Sequence, residues 1–178
     1  MSMFRNLKKE EIECKISTIN EKGASILLYK TARTDMQILD ETVEPFNWKC
    51  DYKEIKGNMY CGISIWDKDK KEWVTKWDCG TESDFGDKEK GEASDSFKRA
   101  GFRWLIGIEL YTSPFIWIPS DKITMYDTGR KDGKGKTIYA TYDKFSVEAI
   151  EITNKVITGL AIVNQKGERV FTYRGATK

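Results

Sequence analysis

Three stretches of the sequence alternate apolar and polar residues with a period of two. They lie at residues 46–52, 59–65 and 73–79. Because neighbouring side chains of a β-strand point to opposite faces of the sheet, this pattern favours strands with one buried face. The gaps between them, around Gly57-Asn58 and at residues 67–71, are short and polar, as in hairpin turns. The sequence therefore predicts an antiparallel β-meander.

A segment with a helical period follows the meander. Between residues 87 and 106, apolar side chains recur at intervals of three or four and form one stripe that can pack on a sheet. Beyond it come four strand-like runs, at residues 115–119, 145–152, 156–163 and 169–174. We therefore predict an α+β fold, in which an antiparallel β-meander is followed by a long packed helix. This β-β-β-α core would carry additional C-terminal β-hairpins.

The N-terminal part of the chain indicates further elements. Residues 6–19 have apolar side chains near helical spacing, with Asn6 as a cap, and predict a helix. Residues 25–30 predict a short buried strand. Thr34 can cap a second helix, which Pro45 would end.

Length and composition indicate one water-soluble domain. The 178 residues, of which 33% are charged and 39% hydrophobic, favour a single domain spanning 1–178. No apolar run approaches a membrane span, and the first residues, MSMFRNLKKEE, lack the apolar core of a secretory signal. We therefore expect a cytoplasmic protein, in the host cell if it is encoded by a phage, with no membrane partner.

The residue types present exclude several chemistries. The chain has no histidine, which excludes Ser-His-Asp and Cys-His catalysis and every His-ligated metal site. Its four cysteines contain no CxxC pair, so we expect reduced thiols and no metal. The string GKT at 135–137 lacks the earlier glycine of a phosphate-binding loop. We expect no cofactor.

A few acids and a lysine leave a nuclease open as an alternative. Glu54 and Lys56, with Asp35 or Asp40 upstream, faintly resemble a centre in which two acids hold a divalent ion and a lysine contacts the scissile phosphate. Matches of this length arise by chance in charged proteins, so a solvated strand end is the simpler interpretation.

Five cations lie on the predicted helix, and two interpretations of them stay open. They are Lys88, Lys90, Lys98, Arg99 and Arg103. At 100° per residue, the first, fourth and fifth share one side, away from the apolar stripe. Glu92 and Asp95 lie on that side as well, so the surface is either solvated and ion-paired or contacts a sugar-phosphate backbone.

Two further features suit a nucleic acid. The predicted core faces hold Trp48, Trp73, Trp77 and Trp104, whereas Tyr60 and Trp66 fall on the opposite sheet face, where they could stack on bases or fill a subunit interface. Residues 127–136 predict a flexible, Gly-rich basic loop. It is a possible secondary DNA contact, through Arg130, Lys131, Lys134 and Lys136.

The string EKGEASDSFKRAGFRWLIGIELY, at residues 89–111, resembles the signature of phage single-strand annealing proteins of the Sak type. These are relatives of the Rad-fifty-two recombination mediator, whose N-terminal domain binds DNA. The matching residues are Glu92-Ala93, the polar triplet around Asp95, Phe97, Lys98-Arg99-Ala100 and Gly107. Segments 33–48, NMYCGISIWD and WVTKWDCGTES are also similar, and the resemblance covers about residues 25–175.

The resemblance implies a β-β-β-α core and assembly of subunits into rings or helical filaments around single-stranded DNA. It implies that Lys98 and Arg99 contact DNA, and it places Arg33 near an arginine of the same groove. Arg103 lies one position beyond the family's third basic residue, which corresponds to Phe102 here.

Together these observations predict a non-catalytic protein that binds single-stranded DNA and anneals complementary strands in phage-type homologous recombination and repair. The predicted DNA-binding residues are Lys98, Arg99, Arg103, Arg33, Lys88 and Lys90. The alternatives are a single-strand-binding protein that does not anneal and, less favoured, a metal-dependent nuclease.

Overall fold

A computed structural model of the chain describes residues 3–81 and 88–175. Within these residues, no helix is long and apolar enough to cross a membrane. In chain order, the strands and α-helices of the described part are β1 (Glu13–Asn20), β2 (Gly23–Tyr29), α1 (Ala32–Val43), β3 (Trp48–Ile55), β4 (Asn58–Asp67), β5 (Glu72–Cys79), α2 (Lys88–Arg103), β6 (Ile116–Pro119), β7 (Tyr126–Lys131), β8 (Thr137–Ala140), β9 (Phe145–Thr153), β10 (Val156–Asn164) and β11 (Arg169–Arg174).

The chain forms two compact units. The first consists of Lys30–Ile108 with the N-terminal residues up to Leu7. The second consists of Lys8–Tyr29 with the residues from Glu109 onward. The first unit holds α1, α2 and the strands β3 to β5, and the second holds the remaining strands.

The predicted meander is confirmed in the first unit. Strands β3, β4 and β5 form an antiparallel sheet in that order, and Trp48 pairs with Ile65, which in turn pairs with Val74. The inner face of this sheet is covered by α2, which contacts β4 and β5. Its core includes Ile63 and Phe97, both fully buried, and the ring of Phe97 meets the indole of Trp48 edge to face. The alternating residues Cys61, Ile63 and Ile65 of β4 are buried as predicted, whereas Gly62 and Ser64 on the opposite face are buried as well.

Local interactions and backbone conformation define both ends of helix α1. The side chain of Thr31 accepts a hydrogen bond from the backbone N–H of Thr34, which satisfies an amide of the first turn. Ile38 and Leu39 are fully buried on the inward side of this helix. The helix stops at Glu44, whose backbone has a φ of 69°, in the left-handed region.

The second unit is built on a six-stranded antiparallel sheet. Its strand order is β11-β10-β9-β1-β2-β6, so the N-terminal hairpin lies between strands from the C-terminal half of the chain. The edge strands β6 and β11 contact each other, which means that the sheet curls toward closure. Its core includes Ile118, Ile157 and Ile162, each with 1% exposure or less.

The predicted fold class is wrong. The described chain is mostly β, with its largest sheet curled in the second unit, and it is not an α+β protein built on one β-β-β-α core. The three-stranded sheet and α2 make up one part of the first unit, which also contains α1. The C-terminal strands are not appended hairpins, because β9 pairs with β1 and joins them to the N-terminal hairpin.

The helix predicted for residues 6–19 is also wrong, and a β-bulge explains the error. Residues 13–20 form β1, which pairs with β2, and the pairing shifts between Ile16 and Thr18. Ile16 therefore pairs with Ile26, and Ile19 pairs with Ala24. Because Ile26 and Ala24 are two residues apart, their partners share one sheet face although they are three apart. A bulged strand thus mimics helical spacing.

The loop predicted at residues 127–136 is largely ordered backbone. Strand β7 covers Tyr126–Lys131 and pairs with β8 in a two-stranded hairpin, with residues 132–136 as its turn. The glycines of this segment indicated a loop, yet Gly129 has a φ of 73° at a point where the pairing register shifts. A glycine in the left-handed region is typical of a bulge within a strand.

Candidate nucleic-acid interface

Two arginines of the first unit converge on one carboxylate, and a lysine lies beside them. Arg103 donates a hydrogen bond through Nε to Asp78 at 2.9 Å, and Nε of Arg99 lies 3.5 Å from the other oxygen of that carboxylate. Lys76, on the same face of β5 as Asp78, donates through Nζ to the backbone oxygen of Arg103 at 3.1 Å. We name Lys76, Arg99 and Arg103 with Asp78 the α2 cation cluster. It carries three positive charges and one negative charge.

Asp78 is held in its ionised form. Burial acts to raise the pKa of this carboxyl, but the Cys79 backbone N–H and the Arg103 guanidinium outweigh it and keep the pKa below its usual value. The carboxylate is 14% exposed, whereas the side chains of Arg99 and Arg103 are 41% and 62% exposed. The positive ends of the cluster therefore face solvent more than its negative end does.

The structure places the remaining predicted DNA-binding residues in different environments. Lys98 is half-buried, with Nζ 3.6 Å from the carboxylate of Asp95 one turn earlier in α2. Lys90 is exposed near the start of α2, and the side chain of Lys88 lies outside what the structure describes. Arg33 is exposed in the first turn of α1, the helix that contacts α2.

A buried ion pair joins α1 to α2. The ammonium of Lys30 forms a salt bridge with Asp35, and the two side chains are 1% and 0% exposed. Lys30 also donates to the backbone oxygen of Lys98 at 3.3 Å. Burial raises the pKa of Asp35 to about 6, although the neighbouring ammonium acts to lower it. An added Cβ at Gly101 would lie 2.6 Å from Oδ2 of Asp35, so only glycine leaves room for the pair.

Two tryptophans of the meander lie on the opposite sheet face from the one predicted. Because Trp66 pairs with Trp73, the two share a face, and Trp77 lies on that face as well, opposite Gly62. The prediction that Trp73 and Trp77 lie on the core face is therefore wrong, and both lie on the outer face of the sheet. Trp48 alone of the meander tryptophans lies on the inner face.

Four aromatic side chains and two lysines occupy the outer face of the three-stranded sheet. We name this surface, formed by Lys49, Lys53, Tyr60, Trp66, Trp73 and Trp77, the outer sheet face. The Nζ atoms of Lys49 and Lys53 lie 4.9 and 4.6 Å from the ring centroids of Trp73 and Trp77. Trp73 is 39% exposed. Asp51, between the two lysines on β3, contributes a single carboxylate.

Four exposed cations lie on the β7–β8 hairpin. We name Arg130, Lys131, Lys134 and Lys136 the basic hairpin. Its aspartates accept hydrogen bonds from the backbone, Asp127 from the N–H of Gly129 and Asp132 from the N–H groups of residues 134 and 136. The N–H groups of Lys136 and Lys134 lower the pKa of Asp132. These carboxylates therefore bind backbone groups of the hairpin rather than the side chains of the four cations.

Both aspartates of the nuclease alternative have other partners in the described structure. Asp35 lies in the buried ion pair, and Asp40 accepts a hydrogen bond from the indole N–H of Trp48 at 2.7 Å. Among residues 3–81 and 88–175, no three cysteine or carboxylate side chains converge as a metal site.

The cysteines are free thiols, and two of them interact on the inner sheet face. The thiol of Cys61 donates a hydrogen bond to Cys50, which lowers the pKa of Cys50 to about 7 and raises that of Cys61. The pairing of Tyr52 with Cys61 and of Cys50 with Ile63 places both sulfurs on that face.

Comparisons with protein-family models, with curated proteins and with solved structures find no match to this chain.

Two features of these surfaces escaped the sequence analysis. The role of Asp78 depends on α2 lying across β5, for which the sequence carries no signal. The outer sheet face did have a signal, because the polar turn at residues 68–71 closes a hairpin in which Asp67 pairs with Glu72. Counting back one pair from that turn places Trp66 opposite Trp73.

Proposed function

We propose that this protein binds single-stranded nucleic acid and promotes the pairing of complementary strands. The observation that carries the proposal is the α2 cation cluster, in which Arg99 and Arg103 share the single carboxylate of Asp78 and Lys76 donates to the backbone oxygen of Arg103. The planar guanidinium group matches the geometry of a phosphate, and two of them lie one turn apart on α2. Such a row of cations can bind successive phosphates of a nucleic acid backbone.

Two further observations support the same function. The basic hairpin carries four exposed cations in the second unit. The segment at residues 89–111 that resembles phage single-strand annealing proteins forms α2 and the turn after it, and it contributes Arg99 and Arg103 to the cluster. Annealing needs no bond-making residue, because the protein neutralises phosphates while base pairing supplies the specificity. We therefore propose a non-catalytic role, in recombination and repair of the phage type.

Assembly into a ring or filament belongs to the same proposal. In the three-stranded sheet, β3 and β5 each have one neighbour among the described strands, so each offers an open edge to another chain. Sedimentation of the protein with and without a single strand measures this directly. A 20.6 kDa monomer under both conditions would contradict assembly.

The test of function combines two measurements on one oligonucleotide pair. Fluorescence anisotropy measures binding of a single strand, and a fluorophore–quencher pair measures the rate at which complementary strands anneal. We expect binding and accelerated annealing, and no shortening of either strand when Mg²⁺ is added. Binding with slowed annealing would indicate a coating protein, and shortened strands would indicate a nuclease.

A matched pair of variants ties the function to the cluster. Arg103→Ala removes an arginine that is 62% exposed and bound to Asp78, and Arg169→Ala removes one that is 56% exposed and bound to Glu148 at 2.6 Å. We expect Arg103→Ala to weaken binding to all sequences alike, because phosphate contacts carry no base information. Equal effects of the two variants would overturn the assignment of phosphate binding to the cluster.

A further inference from the structure

The outer sheet face presents aromatic rings on a hydrogen-bonded sheet. Trp66 and Trp73 meet edge to face with ring centroids 5.4 Å apart. The hydroxyls of Ser64 and Thr75 lie between these two rings and Trp77. They are hydrogen-bonded to each other at 2.7 Å, so the polar groups in the middle of the face are paired. Because antiparallel pairing holds these residues in register, their side chains lie on one face before any ligand arrives.

Trp77 lies flat on the sheet. An added Cβ at Gly62 would stand 2.5–2.7 Å from three atoms of this indole, so the six-membered part of the ring rests on the glycine backbone. A ring that lies on a sheet has one face against the backbone and the other directed away from it. This is the orientation that lets a planar ligand stack on a strand residue.

The two lysines of the face give it a positive charge close to the rings. Lys49 and Lys53 hold their ammonium groups over Trp73 and Trp77, and no carboxylate among the described residues forms an ion pair with either. A cation over a solvent-exposed ring is held weakly, so the flexible lysine stem can move to a phosphate when a planar group takes its place.

The distance between Trp73 and Trp77 determines which conformation of a nucleic acid can contact both rings. Trp73 and Trp77 are four residues apart on one strand, which corresponds to about 13 Å. Successive bases of one strand in a duplex are about 3.4 Å apart along the axis. Rings separated by this distance contact bases that are not stacked on each other, and so they select an extended single strand over a helix.

We propose that the outer sheet face binds the bases of an extended single-stranded nucleic acid, with Trp73 and Trp77 stacking on two separate bases and Lys49 and Lys53 contacting the intervening phosphates. This inference rests on the proposed function and adds a base-contacting surface on the side of the sheet opposite to α2. Stacking accepts every base, since each has a π-face, so the site is indifferent to sequence.

A second copy of this chain is a less suitable occupant. An isologous contact would bring Lys49 and Lys53 of one copy against the same positive face of the other. Each copy would bury two ammonium groups with one carboxylate, that of Asp51, so the positive charge would be only partly compensated. Burying an uncompensated charge is costly, and the cores of protein interfaces are depleted in lysine. A nucleic acid supplies both the planar groups and the negative charge.

The experiment compares two probes on the wild-type protein. One is a thymidine oligonucleotide of about 16 nucleotides, the upper end of the site sizes of single-strand-binding folds. The other has the same length and phosphates but abasic sugars. We expect the thymidine strand to bind more tightly and to quench tryptophan emission, and the abasic strand to bind weakly with little quenching.

Variants then locate the effect. Trp73→Ala should weaken binding of the thymidine strand roughly 5- to 150-fold and leave the abasic strand unaffected, and Trp73→Phe should recover most of the loss. Phe46→Ala, which removes a ring of the same unit that is 93% exposed, is the control and should change nothing.

The possible results distinguish failure of base stacking from failure of the proposed function. Equal affinity of wild type for the two probes would overturn base stacking and leave the proposed function standing. Absence of binding to either probe would overturn both. If Trp73→Ala instead changes the sedimented size of the protein and leaves affinity unchanged, the face is an interface between copies, and base stacking is wrong.

Discussion

The indole of Trp77 rests on the backbone of Gly62, its directly paired neighbour on β4. Only a residue without a side chain permits this contact, because a Cβ at Gly62 would lie 2.5 Å from Cε2 of the ring. The pair therefore determines how one ring of the outer sheet face is presented to solvent.

Gly62→Ala should lift Trp77 off the sheet. We expect a loss of about 1–3 kcal/mol in the free energy of unfolding, because the added methyl overpacks a filled position. A change in tryptophan emission should accompany it. Chemical denaturation and fluorescence measure the two effects. Gly133→Ala is the control, since nothing lies within 4 Å of its added Cβ. Equal stabilities of the two variants would show that the ring has room to move.

Asp78→Asn should strengthen binding of single strands. The change removes the carboxylate shared by Arg99 and Arg103, while an amide oxygen can still accept from the Cys79 N–H. We expect a gain in affinity of roughly fivefold, about the strength of one exposed ion pair. Anisotropy titration measures it. Asp69→Asn, which makes the same change of charge at an exposed turn, should leave affinity nearly unchanged. Weaker binding by the Asp78 variant would show that this carboxylate positions the arginines for phosphate.

The buried ion pair of Lys30 and Asp35 should contribute strongly to the stability of the folded protein at neutral pH. Asp35→Asn leaves a buried ammonium without its counter-charge, and we expect a loss of about 3–5 kcal/mol in the free energy of unfolding. Urea denaturation measures it. Glu41→Gln, which breaks the exposed pair with Arg5, should cost about 0–1 kcal/mol. Similar costs for the two variants would mean that Lys30 finds another partner.

The basic hairpin should matter more for annealing than for binding of a single strand. Replacing all four of its cations with serine removes no buried apolar group, so the second unit should keep its stability. We expect slower annealing, with a smaller loss of single-strand affinity. Plotted as logarithms, wild-type affinity should fall with salt with a slope of about −0.7 for each phosphate contacted. A salt-independent affinity would rule out phosphate binding, and an unchanged annealing rate would leave the hairpin without this role.

Local patterns in the sequence determined the elements whose partners are close in the chain. The alternation at residues 46–52, 59–65 and 73–79 predicted the meander because each of these strands pairs with the next, and a turn sets their register. Helix α2 was predictable from one apolar stripe. The predicted helix at residues 6–19 failed because a bulge in β1 spaces Ile16 and Ile19 as a helix would, and the sequence does not show the register.

Tertiary structure decided what depends on partners far apart in the chain. The pairing of β1 with β9 joins segments more than 120 residues apart and turns an apparent α+β chain into a mostly β one. The same holds for the surfaces. The sequence contained the cations of α2 and the tryptophans of the meander. Only the packing of α2 across β5 brought Arg99 and Arg103 to Asp78, and only the pairing of β4 with β5 placed three tryptophans on one face. Side-chain periodicity is a local property, whereas the charge and exposure of a surface depend on which elements meet.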